Sequence, residues 1–177
     1  MIKFNPSLPY PTPPCVAGND NRKVGLQQIP CSYPRQDVSI CTRTTERTVD
    51  ARRQSRVLPL MVIQDERLWT KAAFEASDFG TTAAVCVVTN GISDDANGCN
   101  IEQDEVWLQI VRKGDVFCTH YSLDGETFYM VRLFHLPVEQ TVKVGIEAQS
   151  PAGDGGLRFY SDISLENRTV SNLRAGV

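Results

Sequence analysis

From Leu58 onward the chain alternates apolar and polar positions at period two, in short runs that end in turn-forming residues. This pattern predicts eight strands, at 58–64, 67–76, 82–89, 105–112, 116–122, 127–134, 141–149 and 157–165. Lys113-Gly114-Asp115 and Asp124-Gly125 separate adjacent runs with residues that tolerate the positive φ of a tight hairpin. Pro137 and the run Pro151-Ala152-Gly153-Asp154-Gly155-Gly156 mark later loops. No segment carries a sustained helical period, so the pattern predicts an all-β fold of antiparallel sheets stacked as a β-sandwich. The chain shows no internal repeat of the kind that builds a propeller or solenoid.

Alternation also assigns faces. Ala84, Cys86 and Val88, then Val106, Leu108 and Ile110, then Val142, Val144, Ile146 and Ala148 form the predicted core set. The opposite faces are mixed: Trp69, Lys71 and Glu75; Trp107 and Gln109; Lys143, Glu147 and Gln149. Tryptophan beside carboxylates and amides suits a sugar ring, which offers an apolar C–H face for stacking and hydroxyls for hydrogen bonds. Trp69, Lys71, Glu75, Trp107, Gln109 and Glu147 are therefore the candidate ligand-binding residues, with the tryptophans stacking and Glu75, Gln109 and Glu147 taking hydroxyls. The competing reading is a solvent-facing or inter-sheet surface on which both tryptophans simply pack.

Before residue 57 the texture changes. Seven of the ten prolines lie there, and residues 1–56 hold nine Lys+Arg against four Asp+Glu, whereas 57–177 hold nine against 17. The two parts carry +5 and −8, which sum to the overall −3. Pro6 to Pro14 reads as an extended, solvated stretch, and 31–56 is polar, shows neither strand nor helix period, and has too little apolar surface to offset the entropy of ordering it. These residues are expected to form a mostly disordered tail, with the sandwich domain spanning 57–177. The basic string Arg43, Arg47, Arg52, Arg53 and Arg56 is broken by Glu46 and Asp50 and has no interleaved aromatics for base stacking. It reads as a solvated linker, and the net negative charge argues against nucleic acid as a partner.

No apolar run reaches the roughly 18 residues of a membrane-spanning helix, and the first residues lack the apolar stretch of a secretory signal. The expectation is a cytoplasmic protein, away from membranes, with reduced thiols and an inert Asn167-Arg168-Thr169 sequon. Cys15, Cys31, Cys41, Cys86, Cys99 and Cys118 include no C-x-x-C pair, so no metal site is expected. His120 and His135 are the only histidines, and no G-x-S-x-G elbow accompanies them. Both read as ordinary strand or loop residues. Ser93-Asp94-Asp95-Ala96-Asn97-Gly98 places oxygen ligands at short spacing, but a hydrogen-bonded turn is favoured over a Ca²⁺ loop. Ser122-Leu123-Asp124-Gly125 is likewise read as a hairpin turn. Glu75 and Glu147 are the carboxyl pair to examine for glycoside hydrolysis. The compact acidic strand motif of glycan-cleaving jelly rolls is not reproduced by Asp104-Glu105-Val106-Trp107, so no catalytic residue and no cofactor is assigned.

Several segments, in order, carry a resemblance. They are Leu60-Met61-Val62-Ile63 with Leu68-Trp69-Thr70-Lys71-Ala72-Ala73-Phe74-Glu75; Val87-Val88-Thr89-Asn90-Gly91-Ile92-Ser93-Asp94; and Val106-Trp107-Leu108-Gln109-Ile110-Val111-Arg112. Tyr121-Ser122-Leu123-Asp124-Gly125, Phe128-Tyr129-Met130-Val131-Arg132, Val144-Gly145-Ile146-Glu147-Ala148-Gln149-Ser150-Pro151 and Gly156-Leu157-Arg158-Phe159 complete the series. Together they resemble a family of concanavalin A-like jelly rolls of unknown function that includes a fungal regulation-of-enolase protein. The resemblance implies a fold shared with lectins and glucanases. It implies a non-enzymatic binding or regulatory role, with a metabolic enzyme such as enolase as partner. A carbohydrate-binding module, or a glycoside hydrolase-like enzyme acting on a β-glycan, is the alternative. Members begin with further strands that 1–57 does not resemble, which implies that these strands are missing or replaced. Asp95 also stands where the family has tryptophan after Ser-Asp.

Overall fold

In the computed structural model, residues 29–31, 38–45, 57–77, 80–147, 149, 159–167 and 170–177 are described. Eleven strands run in chain order: β1 (Ile29–Cys31), β2 (Val38–Thr45), β3 (Val57–Ile63), β4 (Leu68–Ala76), β5 (Thr82–Asn90), β6 (Ile92–Asn100), β7 (Glu105–Lys113), β8 (Val116–Ser122), β9 (Tyr129–His135), β10 (Val142–Ile146) and β11 (Phe159–Asn167). They form two antiparallel sheets. One has six strands in the order β1-β10-β3-β4-β5-β6, the other five in the order β11-β2-β7-β8-β9. The predicted β-sandwich is the fold observed, and no helix of the described residues is long and apolar enough to cross a membrane.

The core sits between the sheets and is drawn from one face of each strand. Leu60 and Val62 of β3, Ala72 and Phe74 of β4, and Ala84, Cys86 and Val88 of β5 meet Val106, Leu108 and Ile110 of β7 and Phe117 of β8. Period-two alternation turns each set inward, and burying it removes apolar area from water at roughly 25 cal/mol per Å². Phe117 and Phe134 stack with centroids 5.7 Å apart, clamping β8 to β9. Thr70, fully buried on the inward face of β4, donates its hydroxyl to the Val87 carbonyl at 2.9 Å. A core hydroxyl is tolerated because it is bonded.

Three elements differ from the sequence expectation. Strand β6 was expected as a turn around 93–98, yet it pairs along β5. Its sequence, ISDDANGCN, has neither β-propensity nor alternation, because as the edge strand of its sheet it buries almost nothing. Consecutive Asp94 and Asp95 therefore point to opposite faces, and Asp94 pairs with Arg132 of β9, tying the two sheet edges together. Strands β1 and β2 lie within the segment expected to be a disordered tail. β2 takes an interior place between β11 and β7, where Thr42 and Thr44 break the apolar series that Val38 and Ile40 begin and so hide the strand period. The sandwich thus extends on the N-terminal side of residue 57; the remaining residues of 1–56, with Cys15 and the arginine string beyond Arg43, lie outside those described.

Hairpin β7–β8 turns at Gly114 with φ of 61°, as Lys113-Gly114-Asp115 predicted. At the other end, residues 170–177 fold over the outer face of the five-stranded sheet. Lys113 Nζ donates to the Val170 carbonyl at 3.1 Å, and His120 Nε2 donates to the Leu173 carbonyl at 2.8 Å.

Candidate functional site

Each sheet has an outer face, and the six candidate residues divide between them. On the six-stranded sheet, the outward side of β4 presents Trp69, Lys71, Ala73 and Glu75. Register aligns Met61 with Lys71 and Val87, and Pro59 with Ala73 and Val85. Beyond the end of β10, the Glu147 amide donates to the Pro59 carbonyl at 3.0 Å and Gln149 bridges to Val57. Glu147 therefore joins the same face, two strands from β4.

This face is built of an apolar floor and a polar network. Ala83, Val85 and Val87 are buried with the Trp69 indole packed against them. Lys71 Nζ lies 3.6 Å from Glu75 Oε2 and donates to Gln149 Oε1 at 3.2 Å. Lys71 and Glu75 flank Ala73 on the same side of the strand and pair across it, and Ala73 has no exposed surface. Gln149 Nε2 in turn donates to Glu147 Oε1 at 2.8 Å. The remaining oxygen, Glu147 Oε2, is buried without a hydrogen-bond partner, and the residue is only 7% exposed. Burial raises the Glu147 carboxyl above its ordinary range, while Gln149 and the Lys71 ammonium oppose that rise. Tyr160 of β11 donates its hydroxyl to the Glu147 main-chain carbonyl, anchoring the segment from the other sheet.

Trp107 and Gln109 are elsewhere. Both project from the outer side of β7, in the five-stranded sheet, so the whole sandwich lies between them and Trp69. Gly125 approaches the Trp107 indole so closely that a Cβ there would lie 2.8 Å from the ring. The Ser122–Thr127 turn behind Gly125 is a closed hydrogen-bonded unit: Asp124 Oδ1 accepts from the Glu126 and Thr127 amides at 2.8 Å each. Those amides, Thr127 foremost, lower the Asp124 carboxyl to about 2. Gln109 is buried and donates to the Gly176 carbonyl at 3.4 Å, under the C-terminal turn. Beside it in register, His120 is fully buried; its Nε2–H is committed to Leu173, Nδ1 has no partner, and desolvation lowers its pKa.

The structure thus brings together Trp69, Lys71, Glu75 and Glu147, and separates Trp107 and Gln109 from them. Gln149, absent from the candidate set, bridges Lys71 to Glu147. Its signal was the continued alternation Lys143, Gly145, Glu147, Gln149 along one side of the chain. His135 is exposed, and among the cysteines whose side chains are described Cys86 and Cys118 are buried and Cys99 exposed, all as free thiols.

The sequence model of a family described as "Protein of unknown function (DUF1349)" matches residues 37–168. "Regulation of enolase protein 1" of Saccharomyces cerevisiae is 33% identical over 109 residues, 60% of this chain and 54% of that protein. The chain therefore spans about half the length of this relative. A functionally unknown protein from Saccharomyces cerevisiae, solved as a crystal structure, superposes with a TM-score of 0.68 at 27% identity, over 77% of this chain and 72% of that one. The GH43 BlXynB protein from Bacillus licheniformis superposes with a TM-score of 0.66 at 10% identity, over 80% of this chain and 29% of that one, a likeness of fold.

Proposed function

We propose, from the premise that this chain belongs to the DUF1349 family of proteins of unknown function, that it is a non-catalytic binding protein whose ligand is a carbohydrate. The ligand lies on the outer face of the six-stranded sheet. One observation carries the reading: Trp69 rests on a buried apolar floor on the same face as a polar network that ends in the unpartnered Glu147 Oε2. Sugar recognition calls for a flat apolar platform and a few fixed polar groups. Lys71, Glu75 and Gln149 are held by one another, so their orientation is set before a ligand arrives.

The test is calorimetric titration of the full chain with soluble β-linked oligosaccharides, beside Trp69→Ala. Saturable binding that weakens about 30-fold in the variant is expected, the effect of losing a central aromatic anchor. Equal affinity in the variant would place any site elsewhere.

A second reading draws on the printed name of the yeast relative. Under it the same chain binds a metabolic enzyme, and the acidic 57–177 part provides the contact surface. Co-sedimentation with purified enolase, in the absence of any glycan, is expected if that partnership extends to this protein. Its failure removes this second reading and leaves the carbohydrate reading standing.

A further inference from the structure

The turn at 170–177 hides polar groups that it does not fully satisfy. His120, on the outer side of β8, is fully buried beneath it and donates its Nε2–H to the Leu173 carbonyl at 2.8 Å. Nδ1, the bare lone pair of that tautomer, has no partner. Leaving a buried acceptor unsatisfied costs more than a typical hydrogen bond contributes. A proton added there puts an unpaired N–H and a positive charge in the same dry position, which costs more still.

The hold on the turn is light. Val170 is buried and its carbonyl accepts from Lys113 Nζ at 3.1 Å, so this end is pinned. Beyond it Ser171, Asn172, Arg174 and Val177 are exposed, and Leu173 and Ala175 are half-buried. The segment belongs to no strand. Side-chain bonds tie it to the sheet, from His120 to Leu173 and from Gln109 to the Gly176 carbonyl at 3.4 Å. Its own bonds close it as a unit. The Asn172 amide donates to the Val177 carbonyl at 2.6 Å, and the Val177 amide returns the bond to the Asn172 carbonyl at 3.3 Å. Asn172 Oδ1 accepts from the Arg174 and Ala175 amides. The turn can therefore leave the sheet without losing its own shape.

We propose that 171–177 is a latch opened by acid: protonation of the His120 ring lifts it about Val170, hydrates Nδ1 and uncovers Gln109 and Cys118 on the outer face of the five-stranded sheet. The groups facing the ring are Gln109 from β7, Met130 from β9, and Leu173, Arg174 and Gly176 from the turn. Cys118 and Ser122 flank it at alternate positions of its own strand. Arg174 is the one charge in this set, and the set contains no carboxylate to receive a new cation. Burial, foremost, pushes the Cys118 thiol up to about 12, so it stays neutral. Burial also outweighs the Leu173 and Arg174 carbonyls, which favour the imidazolium, and holds His120 below its ordinary 6.5. The closed latch is accordingly at full strength above 6.5 and weakens as pH falls through the folded value. It works independently of any ligand on the six-stranded sheet, which lies across the sandwich.

The experiment follows thiol alkylation in the full chain, resolved by peptide mass spectrometry, from about pH 7.5 to about pH 5, a range that spans imidazole titration. Exposed Cys99 is the reference for the reagent's own pH dependence, and Cys86, buried between the sheets, reports global opening. The Cys118:Cys99 rate ratio is expected to rise several-fold on acidification while Cys86 stays protected. An open-state imidazole at 6.5 sets the ceiling of that rise, about 30-fold at about pH 5. An unchanged ratio, or a joint rise of Cys118 and Cys86, overturns the inference. His120→Gln keeps an N–H donor near the position of Nε2 and cannot titrate, so its ratio should be flat across the range. A response equal to that of wild type in His120→Gln also overturns the inference. Should that variant fold poorly, the wild type still decides: the midpoint of the Cys118 response must coincide with the His120 titration read from its ring nitrogen shifts, and a midpoint elsewhere refutes the latch.

Discussion

The two outer faces of this sandwich carry similar residues and have different fates. Each has one tryptophan, each has an amide or carboxyl beside it, and each arises from the same period-two alternation. On the five-stranded sheet the chain covers its own polar groups: Gly125 packs on Trp107, and the 170–177 turn engages Gln109 and His120. On the six-stranded sheet the polar groups engage one another and leave one carboxyl oxygen over. A mixed face is therefore no sign of a binding site in itself: on the five-stranded sheet the 170–177 turn lies over Gln109 and His120, although His120 Nδ1 is left without a partner there as well.

The comparison can be broken in stability and in affinity separately. The largest stability effect is expected from Trp107→Ala, about 2–3 kcal/mol for a half-buried indole that packs on a turn, measured by denaturant unfolding, with oligosaccharide affinity unchanged. Trp69→Ala is expected to invert this, reducing affinity by about 2 kcal/mol while altering stability less. If both variants lose affinity alike, the separation of the faces fails. Gly176→Ala comes next. Its φ is 70°, and an added Cβ would lie 2.3 Å from Gln109 Oε1, so a loss of about 1–2 kcal/mol is expected. Faster alkylation of Cys118, buried on the same outer side of β8, would report the turn lifting; unchanged alkylation would show that it tolerates the methyl.

The smallest effects are those of pH, and the two faces should respond in opposite directions. His120 is held below its ordinary 6.5 by burial, so its contribution is complete above that value and is lost as pH falls through the folded pKa. Glu147 is raised above 4.5, so its contribution is complete below that value and is lost as pH rises through the folded pKa. Amide exchange should accordingly quicken around Leu173 on acidification. Glu147→Gln should flatten the loss of stability that accompanies rising pH above 4.5. Parallel responses of the two faces, or no change in slope for Glu147→Gln, would contradict the assignment.

Much of the fold was legible because most strands are half-buried. Ala84, Cys86 and Val88 alternate with residues of the other face, as do Val106, Leu108 and Ile110, and these positions form the core. Strands β6 and β2 were illegible for two different reasons. β6 is an exposed edge whose polar residues need no apolar face, and β2 carries threonine at 42 and 44, in the series where a core strand ordinarily carries valine or isoleucine. At the site, four of six candidates share one face: Trp69, Lys71 and Glu75 alternate along β4, and Glu147 continues the outward series of β10. The other two were placed with them only because alternation says inward or outward without saying outward from which sheet.

That boundary is physical. Side-chain direction along a strand follows from the pleat, a property of adjacent residues, so the sequence alone determined the inward set, the turn at Gly114 and the chemistry available on each outer side. Which strands stand next to one another depends on pairings between distant segments, such as Ile146 with Leu60 and Cys41 with Gln109. Those pairings form only when the two inward sets are buried together. They put Glu147 beside the β4 residues and Trp107 on the far side of the molecule, and only the tertiary structure decided them.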